Sequence, residues 1–180
     1  GLHDHMILEM QGGTSPQWIV FKDPRRFGWI DLFEGETHPR LADMGPEPLG
    51  NGFSAGSLTV ALDRRKGPIK AALLNQQIVA GIGNIYACEA LFGAGLSPRR
   101  RAGNISGGRA ERLVAAIRSV LQRAIEDGGT SLRDHVQPGG EIGYFVQRLA
   151  VYRRDGQACK ACTTPIKMIV QSGRSTFYCS

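Results

Sequence analysis

Three cysteines near the C-terminal end constrain the fold more than any other feature of this sequence. Cys159 and Cys162 form a Cys-x2-Cys pair, and Cys179 follows after 16 residues. Two such pairs, separated by a hairpin of about 15–20 residues, are typical of zinc ribbons, in which four ligands surround the metal. Three ligands with this spacing predict a metal-bound hairpin whose fourth cysteine is expected just beyond residue 180. Free or redox-active thiols are the alternative.

The fourth cysteine has different surroundings. Cys88 lies among apolar residues of a predicted helix, so we expect a small buried side chain and not a metal ligand. The first ten residues show no basic stretch followed by an apolar one, and no apolar run is long enough to cross a bilayer. These features favour a reducing, cytoplasmic compartment in which cysteines bind metal.

Positive charge is concentrated in the second half of the chain. Residues 1–96 contain 8 Lys/Arg and 10 Asp/Glu, whereas residues 97–180 contain 14 Lys/Arg and 6 Asp/Glu. Arginine supplies 12 of those 14 positive charges, and its guanidinium group matches the geometry of phosphate. The charge distribution predicts a nucleic-acid partner, and a basic surface that serves only solubility is the alternative.

Apolar periodicity predicts β-structure at the start of the chain and helices in the middle. Alternation and turn residues predict strands over 5–11, 17–22 and 27–33, then a Pro/Gly-rich linker over 35–52. Helical spacing predicts a helix capped by Ser54, a short helix from Pro68 to Leu74, a helix capped by Asn84, and a long helix over about 106–126. Strand character returns around 151–152, 166–170 and 176–178.

Two polar segments are candidates for binding phosphate. Asn84 follows Gly81 and Gly83 at a predicted helix start, where backbone N–H groups attract anions, although an ordinary tight turn has the same pattern. Arg174 lies beside the turn of the C-terminal hairpin and can bind a phosphate through two nitrogens. A single arginine in a turn is, taken alone, more often solvated.

The segment 23–28 (Asp-Pro-Arg-Arg-Phe-Gly) forms a predicted turn with charged and aromatic side chains. Arg25 can hydrogen-bond a base and Phe27 can wedge between stacked bases of a duplex. From the residues alone we favour a plain basic turn with Phe27 packed in a β core. His3 and His5 share one face of a strand, but no third ligand is near in sequence, so we expect a structural role.

These segments together resemble one known family. In order along the chain, the matching stretches are His3-Asp4-His5, 23–28 (DPRRFG), 44–49 (MGPEPL), 69–70 (IK), 79–92 (VAGIGNIYACEALF), 128–134 (GGTSLRD), 143–145 (GYF), 151–152 (VY) and 159–179 (CKAC…RSTFYC). As a set they resemble bacterial formamidopyrimidine-DNA glycosylase, a bifunctional base-excision enzyme that removes 8-oxoguanine and then cleaves the strand as an AP lyase.

The resemblance implies an α+β multidomain fold. It places the remnant of an N-terminal β-sandwich and a linker at 1–48, a helix-two-turn-helix DNA-binding domain at 49–148, and a zinc-finger β-hairpin at 149–180. The implied partner is double-stranded DNA with oxidised bases or abasic sites, bound in a cleft with the damaged base flipped into a pocket. A monomer in the bacterial cytoplasm, beside the nucleoid, is expected.

The resemblance also implies roles for individual residues. Asn84 and Arg174 resemble the pair that holds the phosphates beside the lesion. Lys70 resembles a lysine near the pocket and the DNA backbone. Arg25 and Phe27 resemble two of three residues that fill the space left by the flipped base.

Three further groups of residues match the family pattern. Gly143, Tyr144 and Phe145 end a segment, starting near Gly139, that resembles the loop closing over 8-oxoguanine. Tyr86 and Glu89 lie on the helix that supports the site. The cysteines match the ligands of one structural zinc ion: Cys159, Cys162 and Cys179.

The sequence also departs from the family pattern. The family's catalytic N-terminal proline, the glutamate beside it, a lysine and one hole-filling methionine are expected upstream of Gly1, and position 75 is Asn where the family usually has Asp. We therefore expect no catalytic residue within these 180, weak DNA binding or none, and no lyase activity. The alternatives are an endonuclease-VIII-like glycosylase for oxidised pyrimidines, or a non-catalytic DNA-binding paralogue.

Overall fold

The computed structural model describes residues 1–12, 15–130 and 143–180, which form two compact units, Gly1–His38 and Pro39–Ser180. Within these described ranges, no helix combines the length and the apolar character that crossing a membrane requires.

The N-terminal unit contains one antiparallel β-hairpin. Strand β1 (Asp4–Met10) pairs with β2 (Gln17–Lys22), with an irregularity between Asp4 and Met6. Both strands were predicted from the alternation of apolar residues, and both are confirmed. Many of their apolar side chains are exposed, and Trp18 is 57% accessible.

The third strand predicted over 27–33 is wrong, because these residues pair with no strand in the described chain. Aromatic contacts organise this stretch instead. The ring of His38 lies 5.1 Å from that of Trp29 and 5.0 Å, edge to face, from that of Phe33. A nitrogen of the same imidazole lies 3.2 Å from a carboxylate oxygen of Asp31. The chain therefore folds back on His38 and does not extend along β2.

The second unit begins with helices. The α-helices are α1 (Pro39–Ala42), α2 (Ala55–Leu62), α3 (Ile69–Leu73), α4 (Asn84–Gly93) and α5 (Gly108–Glu126). Two short 3-10 helices span Ala102–Asn104 and Phe145–Arg148. A second antiparallel hairpin follows, with β3 (Lys167–Gln171) paired to β4 (Arg174–Tyr178).

Local sequence signals account for the starts of α2 and α3. The Ser54 hydroxyl accepts a hydrogen bond from the Ser57 N–H, and the Ser57 hydroxyl accepts one from the Ser54 N–H. Together these bonds form the predicted cap of α2. Pro68 precedes the first turn of α3, as predicted. The predicted cap at Asn84 is wrong, because Gly83 is the N-cap and Asn84 is the first helical residue. The side chain of Asn84 points to β4 and is therefore unavailable to the helix.

The main core lies between the helices of this unit. Helices α4 and α5 pack together, and α2 packs on α5. The largest fully buried apolar side chains of this core include Phe53, Leu58, Leu62, Leu73, Ile82, Leu91, Leu113 and Ile117. Arg118 of α5 fixes the entering loop by donating to the carbonyl oxygens of Pro48, Gly50 and Phe53 at 3.2, 3.0 and 2.7 Å.

A smaller core joins α4 to the C-terminal hairpin. Its buried members are Cys88, Val151, Cys159, Ile166 and Phe177. Cys88 is 2% exposed, which confirms the prediction of a small buried side chain. The strand predicted around 151–152 is wrong, because these residues form a turn that is held by a carboxylate from α4.

Candidate nucleic-acid interface and metal site

Helices α3 and α4 contact strand β4 through the side chains of Lys70 and Asn84. The Nζ of Lys70 donates to the Thr176 hydroxyl at 2.8 Å and to the Ser175 carbonyl oxygen at 3.4 Å. The Nδ2 of Asn84 donates to the same Ser175 carbonyl at 2.9 Å. These contacts fix the start of β4, and with it Arg174, against α3 and α4.

Lys70 is completely buried at this junction. Burial lowers the pKa of its ammonium group below the usual 10.5, and the nearby positive charge of Arg174 lowers it further. Burial also raises the pKa of the neighbouring Cys88 thiol above its usual 9.0. Because neither group is at the surface, Lys70 acts in this structure as a support for the strand that carries Arg174.

Asn84 leaves polar groups available beside that strand. Its Oδ1 is buried and has no hydrogen-bond partner among the described residues. No side chain among the described residues caps helix α4, and uncapped first-turn N–H groups are donors that suit an anion. Arg174 is exposed and follows a turn at Ser172 and Gly173 in which both residues have positive φ, 49° and 71°. Since Asn84 is bonded to Ser175, the residue after Arg174, the start of α4 and Arg174 both offer donors of the kind that suits phosphate oxygens.

Glu89 lies on α4, five residues after Asn84, and binds the backbone of the chain that leads into the C-terminal hairpin. It is 5% exposed, and its two carboxylate oxygens accept backbone N–H groups of Ala150, Val151 and Tyr152 at 2.8–2.9 Å. The carboxylate thus serves as the acceptor for three consecutive backbone N–H groups, which form no β-ladder here. The helix that presents Asn84 is thereby fixed to the chain leading into the C-terminal hairpin.

Tyr86 contacts the residues on both sides of the segment 131–142. Its hydroxyl lies 3.1 Å from that of Thr130, and its ring centroid lies 5.9 Å from that of Phe145. A Cβ on Gly143 would lie 2.2 Å from the Gly129 carbonyl oxygen, so only glycine fits there. Tyr144 is exposed, and its N–H donates to the Asp127 carbonyl at 2.9 Å. The predicted loop residues at 139–142 lie outside the described residues.

The turn at 23–28 in the N-terminal unit is organised by one carboxylate. Asp23 accepts hydrogen bonds from the N–H groups of Gly28 at 2.6 Å and Arg25 at 3.1 Å, and these bonds lower its pKa below 3.8. Phe27 is 77% exposed, with the Arg25 guanidinium 5.0 Å from its ring centroid. The expectation that Phe27 packs in a β core is therefore wrong. The turn presents an arginine and an aromatic ring together.

The three C-terminal cysteines come together as their spacing predicts. Their sulfur atoms all lie within 4.8 Å of one another, and those of Cys162 and Cys179 are 3.3 Å apart. Hydrogen bonds from Thr164 lower the pKa of the Cys162 thiol to about 7. A hydrogen bond with Cys162 raises the pKa of the Cys179 thiol to about 12. In a tetrahedral zinc site, neighbouring sulfurs are about 3.8 Å apart, so this donor set fits a thiophilic metal ion.

Comparison with known proteins places these features in one family. Residues 44–136 match the model of the formamidopyrimidine-DNA glycosylase H2TH domain. A formamidopyrimidine-DNA glycosylase of Rhodospirillum centenum is 54% identical over 99% of this chain and 66% of its own length. The chain belongs to the formamidopyrimidine-DNA glycosylase family. The family identified from the sequence motifs is thus confirmed.

Solved structures of this family share the fold. The MutM (Fpg) protein of Thermus thermophilus is 43% identical, with a TM-score of 0.82 over 91% of this chain and 63% of its own. The Lactococcus lactis Fpg in complex with DNA containing an abasic site is 30% identical, with a TM-score of 0.83 over 98% of this chain and 65% of its own. This chain therefore spans slightly less than two thirds of the length of these relatives.

The structure adds one contact at this junction that the sequence did not indicate. Thr176, the hydrogen-bond partner of Lys70, is fully buried on β4 and is more than 100 positions away in the chain. A polar residue at an inward position of a strand was the only available signal.

His5 places a ring nitrogen 3.0 Å from the Asp23 carbonyl oxygen, which agrees with the structural role expected for it.

Proposed function

We propose that this chain belongs to a base-excision repair enzyme that removes oxidised purines, 8-oxoguanine and formamidopyrimidines, from double-stranded DNA. The observation that carries the proposal is the junction of α3, α4 and β4. There, Asn84, the first-turn N–H groups of α4 and Arg174 lie on one supported surface. Such a surface binds adjacent phosphates of one strand, which is the contact needed to hold a backbone while a base is flipped out.

The proposed chemistry uses a nucleophile that is not among these 180 residues. The secondary amine of an N-terminal proline attacks C1′ of the damaged nucleotide, the N-glycosidic bond breaks, and the base leaves. The sugar ring then opens at the C1′–O4′ bond to give a Schiff base, and removal of a C2′ proton expels the 3′ phosphate, which cleaves the strand. The residues of this chain bind and orient the DNA for that attack.

We assign three segments of the chain separate roles in binding and orienting the DNA. Arg25 and Phe27, exposed together on the turn at 23–28, enter the space that the flipped base leaves in the duplex. Lys70 holds β4 in place from the interior and so sets the position of Arg174. Gly143, Tyr144 and Phe145 anchor one end of the segment that closes over the base.

We also propose that Cys159, Cys162 and Cys179 hold one structural zinc ion, together with a fourth ligand. The convergence of three sulfur atoms supports this assignment. When bound, zinc cross-links the two ends of the hairpin and so stabilises the strand that carries Arg174. The enzyme is proposed to act as a monomer in the cytoplasm, beside the nucleoid.

Reduction with borohydride tests the proposed chemistry, because it converts a Schiff base into a stable covalent bond. We expect the full-length protein to form a covalent adduct with a duplex containing 8-oxoguanine. A polypeptide of these 180 residues alone is expected to form none, since the proline amine is not among them. An adduct with the 180-residue polypeptide would contradict the assigned nucleophile.

A panel of lesions separates the proposed activity from its alternatives. Release of 8-oxoguanine in preference to oxidised pyrimidines supports the proposal, and the reverse order supports an endonuclease-VIII-like enzyme. Binding of damaged duplex by the full-length protein without release of any base would indicate a non-catalytic DNA-binding paralogue.

A further inference from the structure

Two basic triplets lie side by side in the second unit. Residues 64–66 (Arg-Arg-Lys) precede α3, and residues 99–101 (Arg-Arg-Arg) follow α4. An antiparallel bridge joins Pro68 to Arg101, and the Nε of Arg101 donates to the Arg65 carbonyl at 3.4 Å. These contacts bring the two triplets together, and their six cationic residues are here called the basic cluster; all are exposed except Arg100, which is half-buried.

Acidic groups do little to neutralise the basic cluster. Within the described ranges, its only ion pair joins Arg64 to Asp63 at 3.3 Å, and both side chains are exposed. Lys66 and Arg99 are exposed, and their side chains make no hydrogen bond or ion pair with the described residues. Bringing like charges together opposes folding, so a surface of this kind is suited to a polyanion that offsets the repulsion.

A hollow opens beside the cluster. Its volume is about 320 Å³, and its lining includes Arg65, Lys66 and Asn75 but no acidic residue. The Oδ1 of Asn75 accepts a hydrogen bond from the Gln77 N–H at 3.0 Å, so its amide NH2 is the group left for a ligand. The polar side chains of the hollow therefore offer donors, which suit the oxygens of a phosphate.

The cluster is fixed to the same framework as Arg174. The Ile69 N–H, at the start of α3, donates to the Arg100 carbonyl at 2.7 Å. The side-chain Nε2 of Gln171, at the end of β3, donates to the Pro98 carbonyl oxygen at 3.3 Å. Since Gln171 pairs with Arg174 across the hairpin, the cluster and Arg174 have a defined separation.

We propose that the basic cluster is a second phosphate-binding surface, which holds the backbone of duplex DNA at positions flanking the phosphates bound by Asn84 and Arg174. This inference rests on the proposed function, because it assumes that Asn84 and Arg174 contact DNA. The cluster adds phosphate contacts only when the duplex is long enough to reach it. Long duplexes therefore bind more tightly than short ones, and with a steeper dependence on salt.

The salt dependence of binding to two duplexes tests the inference. The full-length protein is compared with a double variant, Lys66→Gln with Arg99→Gln, on duplexes of about 10 and about 30 base pairs, one and three helical turns, each with a central abasic-site analogue. Each lost phosphate contact reduces the slope of log K against log salt by about 0.9, so the double variant should lose one to about two units on the long duplex. The short duplex should show no change.

Matched controls separate this effect from a general loss of charge. Arg123→Gln with Arg153→Gln removes the same charge from exposed positions outside the cluster and is expected to preserve the slope on both duplexes. Asn75→Asp places a carboxylate in the hollow while keeping the oxygen that accepts from Gln77, and should weaken long-duplex binding several-fold. Asn51→Asp, at an exposed position away from the cluster, should not.

The outcomes distinguish this inference from the proposed function. An unchanged slope in the Lys66/Arg99 variant, with a reduced slope in Arg174→Ala, overturns the role of the cluster and leaves the proposed function standing. An equal reduction on both duplexes also overturns the flanking assignment, since the cluster would then contact the central site. If Arg174→Ala leaves the slope unchanged as well, the proposed function itself fails.

Discussion

The two β-hairpins of this molecule share an antiparallel backbone but differ in what lies against them. The β3–β4 hairpin packs through Phe177 on a buried core and is bonded to α3 and α4 through Lys70 and Asn84. The β1–β2 hairpin exposes Trp18, 57% accessible, and most of its other apolar side chains. Among the described residues, β3–β4 therefore has tertiary contacts that β1–β2 lacks, and such contacts stabilise a two-stranded hairpin that is marginal by itself in water.

The same contrast holds for two carboxylates that organise backbone. Asp23 accepts N–H groups within its own exposed turn, whereas Glu89 accepts N–H groups about 60 positions away in a buried setting. An exposed carboxylate competes with water for its donors, and a buried one does not. Polar contacts of similar geometry should therefore contribute unequally to stability.

Metal removal should give the largest difference between the two hairpins. Chelation of zinc from the full-length protein, or Cys162→Ser, is expected to unfold the β3–β4 hairpin, since zinc binding contributes on the order of 10 kcal/mol in small metal-dependent folds. Amide hydrogen exchange should rise in β3 and β4 and stay unchanged in β1 and β2. The zinc-loaded protein without chelator is the control. Unchanged exchange in β4 after metal loss would contradict the zinc assignment.

Glu89→Ala should have the next largest effect. It leaves the N–H groups of 150–152 buried without an acceptor, and we expect a loss of about 4 kcal/mol in the free energy of unfolding. Glu89→Gln, which keeps one acceptor oxygen, should recover about half of that loss. Chemical denaturation measures both variants. Equal stability of Glu89→Ala and the wild type would show that water replaces the carboxylate.

A pair of identical substitutions compares the hairpins directly. Ile166 is 2% exposed beside β3, and Ile19 is 54% exposed on β2. Ile166→Ala should lower the free energy of unfolding by about 3 kcal/mol and Ile19→Ala by about 0.5 kcal/mol. Thermal denaturation of variants of the 180-residue polypeptide tests this ratio, since the two exposures are those of these residues. A loss for Ile19→Ala as large as that for Ile166→Ala would contradict it.

The turn at 23–28 should show the smallest effect, and one that depends on pH. The pKa of Asp23 is held below 3.8 by the hydrogen bonds from Gly28 and Arg25, so its contribution is present at neutral pH and is lost as the pH falls through that lowered pKa. The amide proton of Gly28 should therefore shift with an apparent pKa below 3.8 in an NMR titration. Asp23→Asn should abolish the titration. A midpoint at or above 3.8 would contradict the hydrogen-bonded carboxylate.

Local sequence signals were sufficient where neighbouring residues determine structure. Ser54 and the glycines around Asn84 marked helix starts, apolar spacing predicted α5, alternation predicted the first hairpin, and strand character around 166–170 and 176–178 predicted the second. These signals failed at 27–33 and at 151–152. In each case a side chain elsewhere decides the backbone: the ring of His38 in the first, and the carboxylate of Glu89 in the second.

The candidate site divides in the same way. Asn84, Arg174 and the cysteines stood out because glycines, a turn and ligand spacing surround them in the sequence. The burial of Lys70 against Thr176 and the exposure of Phe27 could not be predicted, because both depend on which segments meet in three dimensions.

The sequence by itself determined the family, the three metal-ligand candidates and the positions of the principal helices, because each depends on residue types at short, fixed spacing. Only the tertiary structure placed Lys70 beneath β4, Glu89 beneath the 150–152 turn, and the two basic triplets side by side. Such contacts join residues that are about 30 to 100 positions apart, and the free energy that selects them comes from burial and hydrogen bonding in the folded core. No local pattern encodes that energy.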